Sequence, residues 1–346
     1  MPYELPADGR ADRRGAVLRW LTFAILAVLV AALTYVAYAG FVGSAQAVDP
    51  PNRSRDCRTP RIAFGWEYEA INYDQSADAR LEDLEDPTQC EVEPERAGDE
   101  VVTPDGVGLA GWYIPAGNGP GPAAPTIVLA HGHATNKSEM LSRAEVLHRT
   151  YNLLLFDFRG HGQSQDAPST VGLREQEDLR TMIDWLETTK QPRTIGVLGV
   201  SMGSAAAINE AAGDQRVRAL VMDSTHATLA SAIQARLDRA GFPLSMPAAW
   251  AVLFGGLIRT GEDMSAADPI QAVERYGGRP LLIVAGRADD AIGPTDTDDL
   301  VAAAREGGAR VELQVCESAG HGGTLGGCGD EYRDWVLGFF ADALAR

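Results

Sequence analysis

The sequence predicts an α/β protein: a mostly parallel central sheet with helices on both faces and a small helical lid, preceded by one N-terminal transmembrane helix. Three observations predict it. After residue 100, short continuous apolar runs alternate with segments of helical periodicity, the pattern of strands buried on both faces. Polar, chemistry-bearing residues follow those runs rather than interrupt them, where such sheets bind ligands. Ahead of both, Trp20 to Val48 holds no charged side chain over 29 residues.

Residues 1–16 form a polar, arginine-bearing tail. Residues 17–43 are long enough to cross a bilayer, which takes about 20 apolar residues. The alternative is a signal peptide cleaved after Ala47, since Ala45-Gln46-Ala47 has the small-residue spacing of a cleavage site. The apolar run exceeds the roughly 7–15 residues usual in signals, which favours a retained anchor. Four arginines precede the uncharged run that begins at Trp20 (Arg10, Arg13, Arg14, Arg19) and four follow it (Arg53, Arg55, Arg58, Arg61), so local charge sets no orientation. Residues 44–98, rich in Pro, Arg and acidic residues, read as a linker and collar with Cys57 and Cys90 available to bridge it.

The folded domain is expected over residues 99–346. Val101 to Thr103 and Leu109 to Ile114, around the turn Pro104-Asp105-Gly106, read as a hairpin. Thr126–Ala130, Leu153–Phe156, Ile195–Val200, Ala219–Met222 and Leu281–Ala285 read as buried strands, and Val311, Leu313 and Val315 alternate as a last one. Leu179, Met182, Ile183 and Leu186 fall at helical spacing, as do Tyr332, Trp335, Val336, Phe339 and Phe340. Between about 226 and 270 the pattern is interrupted. There Leu237, Phe242, Leu244, Met246, Trp250, Leu253 and Phe254 supply an apolar face, read as that of a lid over the site.

The chemistry centres on Gly199-Val200-Ser201-Met202-Gly203, between the apolar run Ile195–Val200 and an alanine-rich segment that stops at Gly213. A serine on so sharp a strand-to-helix turn needs small neighbours, and the helix start behind it aims backbone amides at developing negative charge. A serine hydroxyl attacks only once a base takes its proton, and the base needs an orienting acid. On this topology the chain order is Ser, then Asp or Glu, then His. Of the six histidines, His321 alone lies beyond the strand end Gly286-Arg287-Ala288-Asp289-Asp290; His226 would break the order.

These motifs, with Asp105-Gly106, Gly111 to Pro115, His131-Gly132, Arg159 to Ser164 and Gly320-His321-Gly322, resemble the α/β-hydrolase superfamily, of the serine esterase and serine-aminopeptidase-like type with membrane-tethered members. The resemblance spans roughly residues 100–346 and implies the α/β-hydrolase fold. It implies Ser201 as nucleophile, Asp289 as acid and His321 as base, with an oxyanion hole from the amides of Met202 and His133. Asp290 is the neighbouring alternative acid, and Asp223 a more remote one. The His133 ring is expected to face solvent. Arg159 to Ser164 is expected to be a structural turn in which His161 hydrogen-bonds within the loop.

Net charge is −18 and Lys137 and Lys190 are the only lysines, which excludes a basic nucleic-acid surface. No cofactor or metal is expected. Cys316 and Cys328 bracket His321; a disulfide stapling that loop is favoured over a metal site. Paired cysteines and the signal-like start favour an extracytoplasmic domain. The expected activity is cleavage of carboxylic esters or thioesters of small molecules through an acyl-enzyme. A serine peptidase is the alternative within the chemistry, and a non-catalytic anchored binding module the alternative outside it.

Overall fold

The central runs are strands because they are apolar on both faces, and each face finds its own helices. A computed structural model describes residues 10–50, 58–72, 98, 100–117 and 124–345. The chain opens with helix α1 (Arg10–Val48) and the short α2 (Pro60–Phe64), followed by β1 (Glu69–Ile71) and β2 (Gly111–Ile114). Then come β3 (Thr126–Ala130), α3 (Leu141–Leu147), β4 (Asn152–Phe156), α4 (Glu175–Thr189), β5 (Ile195–Val200), α5 (Met202–Gly213) and β6 (Val217–Asp223). Helices α6 (Leu229–Arg239), α7 (Ser245–Thr260) and α8 (Pro269–Val273) precede β7 (Pro280–Gly286), α9 (Asp296–Glu306), β8 (Arg310–Cys316) and α10 (Thr324–Leu344).

The eight strands form one sheet in the order β1-β2-β4-β3-β5-β6-β7-β8. From β4 to β8 every pair is parallel, and β2 is antiparallel to both of its neighbours. Val128 and Ala130 point to the face covered by α4, α5 and α9; Ile127 and Leu129 point to the face covered by α3 and α10. This period-2 division of a continuous apolar run is what a parallel sheet buried on both sides requires.

Three expectations need correction. The hairpin at Val101 to Ile114 is reduced to a single antiparallel bridge, Val102 to Gly108, closed by backbone bonds from the Thr103 amide to the Val107 carbonyl and from the Leu109 amide to the Val101 carbonyl. Side chains supplement those backbone bonds. The Thr103 hydroxyl receives the Val107 amide, Ser164 receives the Ala110 amide, and the Asn72 side-chain amide donates to the carbonyls of Val101 and Leu109. The partner of β2 is instead β1, which extends the sheet's edge from within the stretch read as linker and collar. A three-residue strand is too short to announce itself by alternation. The proposed Cys57–Cys90 bridge lies outside the described residues.

The third correction concerns the lid. Helices α6 and α7 do stand beside the site, but α7 packs mainly against α1. Gly40 closes on Ala251, Gly43 on Val252 and Gly255 on Ser44, contacts that any larger residue would push apart. Of the apolar set read as facing the site, Leu253 is buried, whereas Leu244, Met246, Trp250 and Phe254 are exposed.

Candidate active site

Ser201 sits where β5 turns into α5, with φ 54° and ψ −117°. That backbone is disfavoured for a residue with a side chain and survives only where its surroundings over-determine it. They do so here through close approach: a Cβ on Gly199 would lie 2.5 Å from the Gly203 carbonyl oxygen, and one on Gly203 would lie 2.2 Å from that of Ala130. Two glycines thus let the elbow fold onto its own helix and onto the end of β3.

The turn aims Ser201 at His321. The Ser201 hydroxyl donates to Nε2 at 2.8 Å, and Nδ1–H donates to Asp289 at 2.9 Å (Oδ2) and 3.1 Å (Oδ1). Asp289 is 1% exposed at its side chain and also accepts the Ala291 amide at 3.0 Å. Asp290 points away and pairs with Arg239 at the surface. Asp223 is buried but does not touch His321. Its carboxylate accepts from Arg143, Thr324, Tyr332 and Ser224. Arg143 in turn donates to the Gly322 carbonyl, and the Ser224 hydroxyl receives the Gly322 amide. This buried network, unread in the sequence, grips the residue next to His321; only the strand end at Asp223 signalled it.

The loop after β3 closes over the elbow. A Cβ on Gly132 would lie 3.6 Å from that of Ser201. The backbone amides of His133 and Met202 engage no other group among the described residues. The loop is held from behind by His161, whose Nδ1–H donates to the Arg159 carbonyl at 2.8 Å and whose Nε2 receives the Ala134 amide at 3.2 Å. Arg159 is itself clamped by Asp178 and Asp105, and its guanidinium holds the Asp105 carboxyl down at about 2.

The His133 ring does not face solvent. Its Nε2–H donates to the Ala47 carbonyl at 2.9 Å, and the Val48 carbonyl receives the Ser169 amide at 2.9 Å, so the last turn of α1 is docked onto the site loops. A cavity of about 380 Å³ opens beside Ser201. Its walls are largely apolar: Leu229, Ile233 and Leu237 of α6, Val252 of α7, and Gly43 and Ala47 of α1. Two further residues line it: His226, set aside in the sequence because it breaks the chain order, and Arg236, which the sequence did not single out. Neither side chain makes a hydrogen bond or ion pair among the described residues. Burial pushes the His226 ring down to about 3 and the His133 ring down to about 4, so both are neutral near pH 7.

Beyond His321 the chain enters α10, whose Cys328 is joined by a disulfide to Cys316 at the end of β8, with Cα atoms 5.8 Å apart. Among the described residues no cluster of metal-ligating side chains occurs.

A strand-turn-helix serine, a histidine after the last strand and an eight-stranded sheet of this order define an α/β-hydrolase architecture. The family profile for the alpha/beta hydrolase fold matches residues 125–282. A Mycobacterium tuberculosis protein of uncharacterised activity is 32% identical over 227 residues, covering 64% of this chain and 71% of that relative. The Escherichia coli protein YfhR is 28% identical over 254 residues, covering 71% of this chain and 80% of its own. Among solved structures, an esterase of Pyrococcus furiosus superposes with a TM-score of 0.64 at 24% identity, over 86% of this chain and 98% of that one. The chain belongs to the α/β-hydrolase family.

Proposed function

We propose that the protein is a membrane-anchored serine hydrolase that cleaves carboxylic esters or thioesters. The observation that carries this reading is the unbroken line Asp289–His321–Ser201 ending in an apolar cavity. In the acylation step Ser201 Oγ attacks the acyl carbon while its proton passes to His321 Nε2. Asp289 fixes the ring with Nε2 as acceptor and stabilises the imidazolium that forms. The amides of His133 and Met202 receive the carbonyl oxygen as it gains charge. His321 then returns the proton to the leaving alcohol or thiol, and water repeats the sequence to release the acid. The charged residue lining the cavity, Arg236, is a cation, which disfavours the N-terminal ammonium that an aminopeptidase binds.

The same cavity argues for retention of α1. Cleavage after Ala47 would remove Gly43, Gln46 and Ala47 from its wall and the carbonyl that His133 holds. Gly15–Val48 is the helix, among the described residues, that is long and apolar enough to cross a membrane, and the Cys316–Cys328 disulfide fits an oxidising compartment outside it. The test has two readouts. A fluorophosphonate probe should label the wild type and not Ser201→Ala, which should lose about 10⁴–10⁶ in ester turnover. Unchanged turnover in that variant sinks the hydrolase reading. A mature N-terminus at Val48 sinks the anchor.

A further inference from the structure

Helix α7 is built the wrong way round for a lid that serves only its own cavity. From Ala240 to Ile258 the chain carries no charged side chain over 19 residues. Ala248, Ala249, Val252, Leu253 and Gly256 turn inward. Leu244, Met246, Trp250, Phe254 and Ile258 turn outward and are 49% to 69% exposed. A contiguous face of large apolar side chains marks contact with an apolar partner.

The neighbouring helix says which partner. Phe242 stacks on Tyr35 with ring centroids 5.1 Å apart, Gly40 closes on Ala251, and Ser44 on Gly255. Helix α7 therefore climbs alongside the last third of α1 in the same direction. The outer side of α1 is exposed and apolar from Trp20 to Tyr38, with these two aromatic residues at its ends. Aromatic residues mark the two borders of a bilayer, and the hydrocarbon between them takes about 20 helical residues. With Trp20 and Tyr38 at the borders, Leu244 and Met246 lie level with the second border. Trp250 and Phe254 lie within the headgroup layer just past it, about 1.5 Å further per residue along α1. The apolar surface of α1 thus continues without a break onto α7. The cavity lies directly behind it, since Val252 of α7, Gly43 of α1 and Leu237 of α6 line its wall.

We propose that the outer face of α7 is seated in the headgroup layer of the bilayer that α1 crosses. The cavity behind it receives the acyl chain of a lipid-like ester handed over from that layer. This rests on the anchored-hydrolase reading and names its substrate class: long-chain acyl esters resident in the membrane. The alcohol or thiol leaves and water supplies the oxygen of the released acid, as in the general reaction.

The test uses the full chain in phosphatidylcholine vesicles with brominated acyl chains. Brominated lipid should quench Trp250, read as the quenched emission lost on Trp250→Phe; a Trp250 untouched by the quencher overturns the proposal. Trp20→Phe reports the anchor separately. Trp20 quenched with Trp250 unquenched removes the docking and leaves the anchor, and Trp20 unquenched removes both. A second arm compares a vesicle-resident long-chain ester with a soluble acetate ester. In a Trp250→Ser, Phe254→Ser variant the resident ester should slow about tenfold and the acetate less than about twofold. Equal losses on both, or none on either, overturn the lipid-transfer role. Failure of fluorophosphonate to label wild-type Ser201 would instead mark failure of the hydrolase reading, with Trp250 quenching still deciding the docking.

Discussion

Two adjacent aspartates follow β7, and one residue of register separates their fates. Asp289 is buried against His321, while Asp290 meets Arg239 in solvent. Asp289→Asn replaces an acceptor with an amide that can present a donor to Nδ1. The ring then loses the tautomer that leaves Nε2 free to accept from Ser201, and kcat should fall about 10⁴-fold. Asp290→Asn removes only an exposed ion pair, and its kcat should stay within about twofold of wild type. Steady-state rates of the two variants decide the matter, and the reverse ranking would reassign the acid. The Asp223–Arg143 pair acts at one remove. Arg143→Met would strand a buried carboxylate and should destabilise the domain by about 3–5 kcal/mol. Asp223→Asn and Arg143→Met together should cost less than the sum of the singles in a denaturation cycle.

At the scale of elements, the loop between β8 and α10 carries His321 between two cysteines 12 residues apart. A bridge over so short a loop contributes about 2–3 kcal/mol by restricting the unfolded chain. Its larger effect is local, because Gly322 and Gly323 follow His321 in the loop and neither supplies a side chain to pin it. Mild reduction should lower ester turnover before it unfolds the domain, and a Cys316→Ser, Cys328→Ser variant should match it. Activity that tracks global unfolding by circular dichroism would deny the disulfide that role. The α1–α7 pair belongs to the same scale. Its glycines permit contact between backbones, so Gly40→Leu should displace α7 and with it the wall of the cavity.

For the whole molecule, three histidines are folded in as neutral rings. Burial pushes His131 and His226 down to about 3 and His133 down to about 4, from an ordinary 6.5. The charges around them are His161, Asp157 and Lys137 beside His131, His161, Glu175 and Arg236 beside His133, and Arg236 and His321 beside His226. The folded pKa values are depressed, so the unfolded chain binds more protons between about pH 4 and 6.5. Stability from this source is complete above 6.5 and is lost as pH falls through that window. Each ring contributes a slope of about 1.4 kcal/mol per pH unit there. Chemical denaturation of the detergent-solubilised protein from pH 7 to 5 should show the fall, and His226→Gln should remove about a third of it. A flat profile would mean that these rings are hydrated and protonate in place.

Much of this was legible without coordinates, for reasons local to the chain. The parallel strands, the closing helix and the elbow are announced by apolar runs and by small residues at fixed offsets from Ser201, which act within a few residues of themselves. His321 followed from chain order, because a fixed topology permits one histidine after β7. What the sequence could not decide depends on which surfaces meet. β1 is too short to show a period, and its pairing with β2 exists only once the sheet is assembled. The grip of Asp223 and Arg143 on Gly322 joins residues 80 and 179 positions apart. The apolar residues of α7 were visible, but their direction was not. A run without charges reads the same whether it faces a cavity or a membrane, and only the packing of α7 against Gly40, Gly43 and Ser44 turned Leu244, Trp250 and Phe254 outward.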